Sequence, residues 1–141
     1  MLGAEAHTGR FRREDRLLDS RDFRRVMRRG RRRAGPDLVV FFTERRIEDP
    51  EKSSKNSYLR TRSGSRLGVT VSRKVGNAVC RNRFKRRMRA WFRERRGELG
   101  SSLGFESVDL VVVARKSGGR LNLAELDERL SGLLGLSMEQ R

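Results

Sequence analysis

Residues 73–89 read RKVGNAVCRNRFKRRMR. It contains eight Lys or Arg residues and no acidic residue. Apolar side chains nevertheless recur through it and just beyond it at helical spacing, at Cys80, Phe84, Met88 and Trp91. At about 100° per residue these positions form one narrow stripe along an α-helix. The sequence therefore predicts a helix with an apolar face held by the core and a basic face in solvent.

The side of this predicted helix opposite the stripe carries polar residues, namely Asn82, Arg86, Arg89 and Arg93. Arg81 and Arg87 flank the stripe, where their aliphatic stems can cover the core while the guanidinium groups stay in water. A solvated surface is the ordinary explanation of a charge run. Solvated faces usually alternate in sign, however, and no acid occurs here before Glu94. The pattern therefore favours a face that binds a polyanion.

The ends of the basic helix and the strand before it are also predicted. Asn77 is a suitable N-cap, because its side chain can accept a hydrogen bond from a free backbone N–H of the first turn. The helix is predicted to run to about Arg96 and to stop at Gly97 or Gly100. Residues 66–72 alternate between apolar and small or polar side chains, which is typical of a half-buried strand.

The charge of the chain is distributed unevenly. Its 141 residues suffice for one domain with one core, and 35 Lys or Arg against 18 Asp or Glu give a net charge of +17. Residues 1–97 have a net charge of +19, whereas residues 98–141 have −2. Such a field attracts a polyanion, for which nucleic acid is the best candidate. A membrane surface is disfavoured, because no stretch combines a basic face with a broad apolar face.

Several kinds of chemistry are disfavoured by composition. One cysteine and one histidine cannot form a zinc site, and His7 lies in a polar N-terminal segment that is unsuited to a Ser-His-Asp triad. Cys80 lies on the apolar stripe and is interpreted as a small buried hydrophobic residue. No signal peptide or membrane-spanning run is seen, so we expect a cytoplasmic protein without a membrane partner.

The remaining elements are placed by capping and periodicity. A first helix is predicted over residues 21–29 with Ser20 as its N-cap, and a strand over residues 38–43. The latter strand should direct Val39 and Phe41 to one face. Residues 107–115 contain a continuous apolar run, which is typical of a strand covered on both sides.

Three polar segments and a C-terminal helix complete the plan. Residues 1–15 are predicted to be a flexible basic arm, residues 45–65 a long polar loop or distended hairpin turn, and residues 136–141 a frayed end. The single domain is predicted over residues 16–135. Its last helix has Asn122 as N-cap, with Glu125 completing a capping box. The apolar stripe of this helix is predicted to lie in the core and consists of Leu123, Leu126, Leu130, Leu133 and Leu134. Strand, helix and strand in succession predict a βαβ unit with the basic helix lying across the sheet.

The basic stretch also resembles a known signature. Residues 74–86 contain KVGNAV, RNR and KR in the order and spacing of the RNR signature of the bacterial ribonuclease P protein subunit. The resemblance extends to Arg16-Leu17 with Asp22-Phe23, to residues 68–72, and to Asp109 with residues 111–115. It covers roughly residues 16 to 135. The long 45–65 loop and the basic N-terminal arm depart from the family pattern.

The resemblance implies an α/β sandwich of the α+β type, with a mixed sheet of about four strands and three helices. It also implies a left-handed βαβ crossover that carries the RNR helix, as in the second domain of ribosomal protein S5. General topology would instead favour a right-handed crossover. The residues alone indicate three strands, and a fourth is expected from the splitting of one of them.

The resemblance further implies a function. The protein would be the non-catalytic subunit of a ribonucleoprotein endonuclease that hydrolyses one phosphodiester to remove the 5′ leader of precursor tRNA. Mg²⁺ ions held mainly by the RNA subunit would support the chemistry, with no catalytic residue and no metal site in the protein. The implied partners are ribonuclease P RNA and precursor tRNA, with no obligate protein partner.

The resemblance assigns two surfaces. The catalytic RNA would contact Arg73, Lys74, Asn77, Arg81, Asn82, Arg83, Lys85, Arg86, Arg87 and Arg89. The leader would lie in a shallow cleft formed by Phe23, Met27, Val39 and Phe41. Exposed aromatic and apolar side chains stack with unpaired bases of any sequence. Without the resemblance, plain core packing explains Phe23, Met27 and Phe41 equally well.

Two other functions remain open from the residues alone. A structural RNA-binding protein, such as a ribosomal protein or an RNA chaperone, would have the same composition. A self-sufficient metal nuclease would need clustered carboxylates to hold Mg²⁺. The basic part of the sequence has no such cluster, since Glu106 and Asp109 stand nearly alone. The sequence therefore disfavours the nuclease.

Overall fold

A mixed four-stranded sheet forms the centre of the computed structural model, which describes residues 11, 13–17, 19–45 and 64–136. Its strands are β1 (Arg31–Ala34), β2 (Leu38–Glu44), β3 (Arg66–Thr70) and β4 (Val108–Ala114), in the spatial order β1-β2-β4-β3. β4 pairs antiparallel with β2 and parallel with β3. The predictions for His7, for most of the 45–65 loop and for residues 137–141 lie outside the described residues.

The fourth strand is not where the sequence analysis expected it. β1 consists of residues 31–34, where the sequence predicts no strand, and none of the other strands is split. All four of its residues are exposed, so it has no apolar alternation to reveal it. It forms because it is an edge strand that only has to pair with β2, and its arginines discourage pairing with other chains.

The connection between β2 and β3 is not a hairpin turn. β4 lies between these two strands and pairs with both, so the hairpin interpretation of residues 45–65 is wrong. The predicted βαβ unit is confirmed, because β3 and β4 are parallel neighbours joined through a helix. The left-handed sense of this crossover stays a prediction.

Three α-helices accompany the sheet, as predicted. They are α1 (Ser20–Arg29), α2 (Ala78–Leu103) and α3 (Leu123–Leu134). The N-cap of α1 is Asp19 rather than Ser20, since the Asp19 carboxylate accepts a hydrogen bond from the N–H of Arg21. The predicted capping box of α3 is confirmed by reciprocal hydrogen bonds between Asn122 and Glu125.

Helix α2 is longer than predicted. It continues through Gly97 and Gly100 and ends at Gly104, whose φ of 82° is the left-handed conformation that favours glycine. Leu99 and Gly100 are buried, and a Cβ added at Gly100 would lie 2.5 Å from the Phe105 carbonyl oxygen. Burial of this last turn stabilises the helix beyond the glycines that were expected to end it.

The two faces of the sheet are covered unequally. Helices α2 and α3 pack on one face, where Leu38, Val40 and Phe42 join the main core. The predicted stripe residues Phe84, Met88 and Trp91 are buried there, and Cys80 is partly buried. The other face carries α1 and a smaller cluster centred on Leu17, Val26 and Val111. One face of the sheet is thus a full core, and the other is covered mainly by a short helix.

The stripe of α3 is also confirmed in its central part. Leu126, Leu130 and Leu134 are buried, whereas Leu133 is half-buried. Leu123 is 37% exposed, so its assignment to the core was wrong. It occupies the first position of the helix, beyond the part that the sheet and α2 cover.

Charged side chains connect the helices to each other. Arg95 of α2 is 2% exposed and donates two hydrogen bonds to the Asp127 carboxylate of α3, at 2.8 and 3.0 Å. Trp91 donates a third hydrogen bond to the same carboxylate from Nε1. This hydrogen bonding raises the pKa of Arg95 above its usual value. The pair is fully hydrogen-bonded, as a buried ion pair must be to be tolerated.

Part of the predicted N-terminal arm packs on the domain. The Phe11 ring meets the Phe92 ring edge-on, with 5.7 Å between centroids. Asp15 lies in a short 3-10 helix, Arg13–Asp15, and forms an ion pair with Arg96 of α2 at 2.8 Å. Phe11 and Asp15 therefore both contact α2. None of the helices in the described ranges is long and apolar enough to cross a membrane.

Candidate nucleic-acid interface

The first turn of α2 is held at one end of the sheet. The Asn77 side chain accepts a hydrogen bond from the N–H of Cys80 at 2.9 Å, which confirms the predicted N-cap. Cys80 and Val75 pack tightly against Gly119, in a 3-10 helix at Lys116–Arg120. Arg73 and Lys74 are exposed in the turn just before the helix. The basic stretch therefore starts from a rigid attachment point.

The outer face of α2 is basic, as its periodicity predicted. It exposes side chains that lie on the side opposite Phe84 and Met88, namely Asn82, Arg83, Arg86 and Arg93. Within the part of the chain that the structure describes, none of these arginines forms an ion pair with a carboxylate. The face consequently presents uncompensated guanidinium groups, which match phosphate oxygens in geometry and charge.

The flanks of the same helix hold four further predicted residues in half-buried positions: Arg81, Lys85, Arg87 and Arg89. Arg87 donates a hydrogen bond to the Leu121 carbonyl at 2.8 Å, so one of its N–H donors is already used within the protein. Nε of Arg81 is buried and has no acceptor among the described residues. An orphan buried donor is costly in the free protein, so the described part of the chain does not fully satisfy the Arg81 guanidinium.

Arg89 occupies a more enclosed position than its place on the outward side suggests. Burial, and to a lesser extent the nearby charge of Arg16, lower the pKa of its guanidinium. An arginine starts from so high a pKa that it stays charged at neutral pH. Its positive charge is therefore concentrated in a partly dry site, where electrostatic attraction to an anion is stronger than in bulk water.

The four predicted cleft residues share one face of the structure. Val39 and Phe41 project from β2 on the side that carries α1, next to Val113 and Val111 of β4. Phe23 of α1 packs into the small cluster, and Met27 is 40% exposed beside it. Val39 is buried and Phe41 is half-buried, so they form a floor, while α1 forms a wall. The face is a partly covered apolar surface, as a cleft requires.

The wall of this cleft is fixed to its floor by close packing and by charge. A Cβ added at Gly68 of β3 would lie 2.6 Å from the Phe23 ring, so only glycine admits the ring there. Asp109 of β4 is fully buried and accepts hydrogen bonds from Arg25 of α1 and Arg66 of β3, at 2.6 to 2.8 Å. These contacts set the height of α1 above the sheet.

Sequence reasoning missed two groups of residues in this region. Arg32 of β1 pairs with Phe41 in register and lies at the edge of the cleft, but an exposed arginine run gives no strand signal. The Arg25–Asp109–Arg66 cluster joins residues up to 84 positions apart. A single acid within the apolar run 108–114 was a usable signal, because a buried carboxylate needs a cationic partner.

Carboxylates are scarce near the basic surface. The described residues contain no group of three His, Cys, Asp or Glu residues that could hold a metal ion. Asp109 of β4 is buried, and both of its carboxylate oxygens already accept hydrogen bonds from arginines. The donor set is therefore that of an anion-binding surface.

A helix whose outer face carries arginines without carboxylate partners in the described ranges, and a partly covered apolar sheet face on the same α+β sandwich, are the features of an RNA-binding protein. The sequence profile of the family described as Ribonuclease P matches residues 11–136. The chain is 34% identical over 122 residues to the ribonuclease P protein component of Streptococcus pneumoniae, across 86% of this chain and 83% of that protein. It belongs to the ribonuclease P protein component family.

Solved structures agree with this assignment. The ribonuclease P protein of Thermotoga maritima superposes with a TM-score of 0.62 at 29% identity, over 84% of this chain and 94% of that one. The Staphylococcus aureus protein gives 0.65 at 24% identity, over 88% and 95%, which supports the fold. The predicted three helices and mixed four-stranded sheet are confirmed. The alternative of a structural RNA-binding protein without a processing role is not favoured.

Proposed function

We propose that this protein assists an RNA catalyst in the endonucleolytic removal of the 5′ leader from precursor tRNA. One feature supports this role most directly: the outer face of α2 carries arginines without carboxylate partners in the described part of the chain, and Nε of Arg81 lacks an acceptor there. A rigid array of this kind binds a phosphate backbone whose own shape is fixed. The catalytic RNA is the structured polyanion that the family name implies.

The surface for the catalytic RNA comprises the exposed and flanking polar residues from the turn before α2 to its fourth turn. Arg86 and Asn82 lie at its centre, since both point directly away from the core. Arg81, Arg87 and Arg89 support it from the flanks, where their stems rest on the core. Asn77 has a different part, because its side chain is engaged as the N-cap and positions the first turn.

The leader is the proposed occupant of the cleft between α1 and the sheet. Phe41 and Val39 provide a floor on which unpaired bases can stack, and Phe23 and Met27 provide the wall. Stacking contributes about 1–3 kcal/mol per base and is indifferent to sequence, which suits a site that must accept many leaders. Arg32, beside Phe41, can bind a leader phosphate at the cleft edge.

The chemistry is assigned to RNA. Hydrolysis of a phosphodiester by this class of enzyme uses Mg²⁺, which prefers carboxylate and phosphate oxygens. The described residues do not fit such an ion, because they contain no cluster of three metal-ligating side chains and the Asp109 carboxylate beside the cleft is already paired with two arginines. We therefore place the Mg²⁺ ions on the RNA subunit, and this chain contributes binding and orientation.

Reconstitution tests this function. Cleavage of a precursor tRNA is measured at low Mg²⁺ with this protein, with a bacterial ribonuclease P RNA, and with both together. We expect strong cleavage only with both, because the protein supplies cations that screen repulsion between the two RNAs. Cleavage by the protein alone would place the chemistry on the chain. If the protein does not change the rate at which the RNA cleaves precursor tRNA, the protein binds RNA but has no role in processing.

A further inference from the structure

A second basic surface lies on the outer side of α1. Arg21, Arg24 and Arg28 fall within one sector of this helix, opposite Val26, and all three are exposed. Arg24 and Arg28 have no carboxylate partner among the described residues. Arg21 has Asp19 at 4.0 Å on an open surface as its acid partner among the described residues. We refer to these three arginines as the α1 ridge.

The ridge borders a shallow depression that is suited to anions. The depression has a volume of about 310 Å³, and its lining consists entirely of arginines: Arg21, Arg24, Arg25, Arg28 and Arg29. From Arg21 to Arg28 the ridge extends about 10 Å along the helix axis, at about 1.5 Å per residue. Arg25 of this lining is paired with Asp22 and Asp109, whereas Arg24 and Arg28, four positions apart, have no carboxylate partner in the described part of the chain. Like charges at this spacing are destabilising in the free protein, so a ligand that neutralises them would be favoured.

The ridge is separate from the basic face of α2. Helix α2 packs with Leu38, Val40 and Phe42 on one side of the sheet, whereas α1 packs with Phe41 and Val113 on the other. The two basic surfaces therefore lie on helices that cover opposite faces of the sheet. The ridge is instead continuous with the cleft, because Met27 lies on α1 between the cleft residue Phe23 and the ridge residues.

We propose that the α1 ridge binds the phosphate backbone of the leader strand after it has left the cleft. This inference rests on the function proposed above. The leader is then held in two successive segments, with its bases on the apolar floor and its more distant phosphates on Arg21, Arg24 and Arg28. The ridge binds the second segment only through its phosphates. The contact with the leader therefore becomes longer without gaining any sequence preference. A strand crossing from the cleft over Met27 reaches Arg24 first and Arg28 and Arg21 after it.

A leader-length series tests the ridge in the assembled complex of protein and ribonuclease P RNA. A domain that binds single-stranded nucleic acid covers about 4–16 nucleotides. The substrates are therefore precursor tRNAs with single-stranded leaders of about 4 and about 12 nucleotides. The double variant R24Q/R28Q is compared with R24K/R28K, which retains the charges. We expect R24Q/R28Q to weaken binding of the long-leader substrate only, and R24K/R28K to restore most of it.

The salt dependence gives the size of the effect. Loss of two phosphate contacts on a single strand reduces the slope of log K against log salt by about 1.4. Between 50 and 200 mM salt, the wild type should then lose about 7-fold more affinity for the long leader than R24Q/R28Q does. The short leader should give equal slopes for both proteins.

The outcomes separate the ridge from the proposed function. If leader length changes the wild-type affinity but R24Q/R28Q behaves like the wild type, the ridge does not bind the leader. If R24Q/R28Q weakens both substrates equally, the ridge contacts another part of the RNA and the inference is overturned. If leader length has no effect even on the wild type, nothing beyond the first few nucleotides is bound and the inference is overturned, while the proposed function stands or falls separately by the reconstitution assay.

Discussion

Arginines only nine positions apart on α2 have opposite roles. Arg86 lies on the outer face and is exposed, whereas Arg95 is 2% exposed and paired with Asp127. The difference follows from the helical wheel, because Arg95 lies on the same side as Phe84 and Met88. Composition and charge alone treat the two residues as equivalent. Their burial indicates that one contributes to binding and the other to the fold.

Alanine substitution should separate these two roles. R86A should change the free energy of unfolding by less than about 0.5 kcal/mol, as surface substitutions usually do. It should weaken binding to ribonuclease P RNA about tenfold, because a charge-assisted hydrogen bond contributes about 1.5 kcal/mol. R95A should destabilise the protein by about 3–5 kcal/mol, because it leaves the Asp127 carboxylate buried without its cation. Urea unfolding and RNA titration measure the two effects.

The conservative variant R95K is the control for packing, since it keeps a charge near Asp127 but loses the bidentate geometry. It should fall between the wild type and R95A in stability. A stable R95A protein would mean that the pair adds little to the fold. An unfolded R86A protein would mean that the outer face of α2 has been assigned to the wrong side.

At the scale of the elements, sequence reasoning succeeded where the signal is local. The Asn77 cap, the Asn122–Glu125 capping box and the alternating faces of β2 all depend on residues within four positions of each other. Strand β1 was missed because its stability comes from pairing with β2 and not from an apolar pattern. The Arg25–Asp109 contact that holds α1 on the sheet was missed because its partners are 84 positions apart.

A polar contact also connects the β1–β2 turn to α3. Asp37 accepts hydrogen bonds from the Ser117 hydroxyl at 2.5 Å and from Arg129 of α3 at 2.9 Å. These bonds, the one from Ser117 first, lower the pKa of Asp37 below its usual value. A carboxylate whose pKa is lower in the folded state stabilises the protein above its unfolded pKa. That contribution is lost as the pH falls through the folded pKa.

Stability should therefore depend on pH through Asp37. D37N should be less stable than the wild type at pH 7, and the difference in unfolding free energy should shrink as the pH falls below about 4. Urea unfolding of both proteins between pH 7 and pH 3 measures this difference. E128Q is the matched control, because Glu128 contacts the same Arg129 from a position that is 67% exposed. If the difference in unfolding free energy between the wild type and D37N stays constant from pH 7 to pH 3, Asp37 does not contribute to the pH dependence of stability.

At the scale of the whole molecule, the net charge of +17 has two consequences of opposite sign. Like charges concentrated on α1, β1 and α2 repel one another, and this repulsion destabilises the compact state of the free protein. The same charges provide the affinity for RNA. Binding of RNA removes the repulsion, so part of the binding free energy is stabilisation of the fold.

Salt should separate these two consequences, because it screens the protein's self-repulsion and also competes for RNA phosphates. If about six basic groups contact phosphates, the slope of log K against log salt for RNA binding should be about −4. Over the same range, sulfate should raise the free energy of unfolding of the free protein, since it neutralises the arginines that RNA would otherwise cover. Filter binding and urea unfolding in matched buffers measure both quantities. An affinity for RNA that does not change with salt would contradict electrostatic docking on α2. A lower free energy of unfolding in sulfate would mean that repulsion between the clustered arginines does not destabilise the free protein.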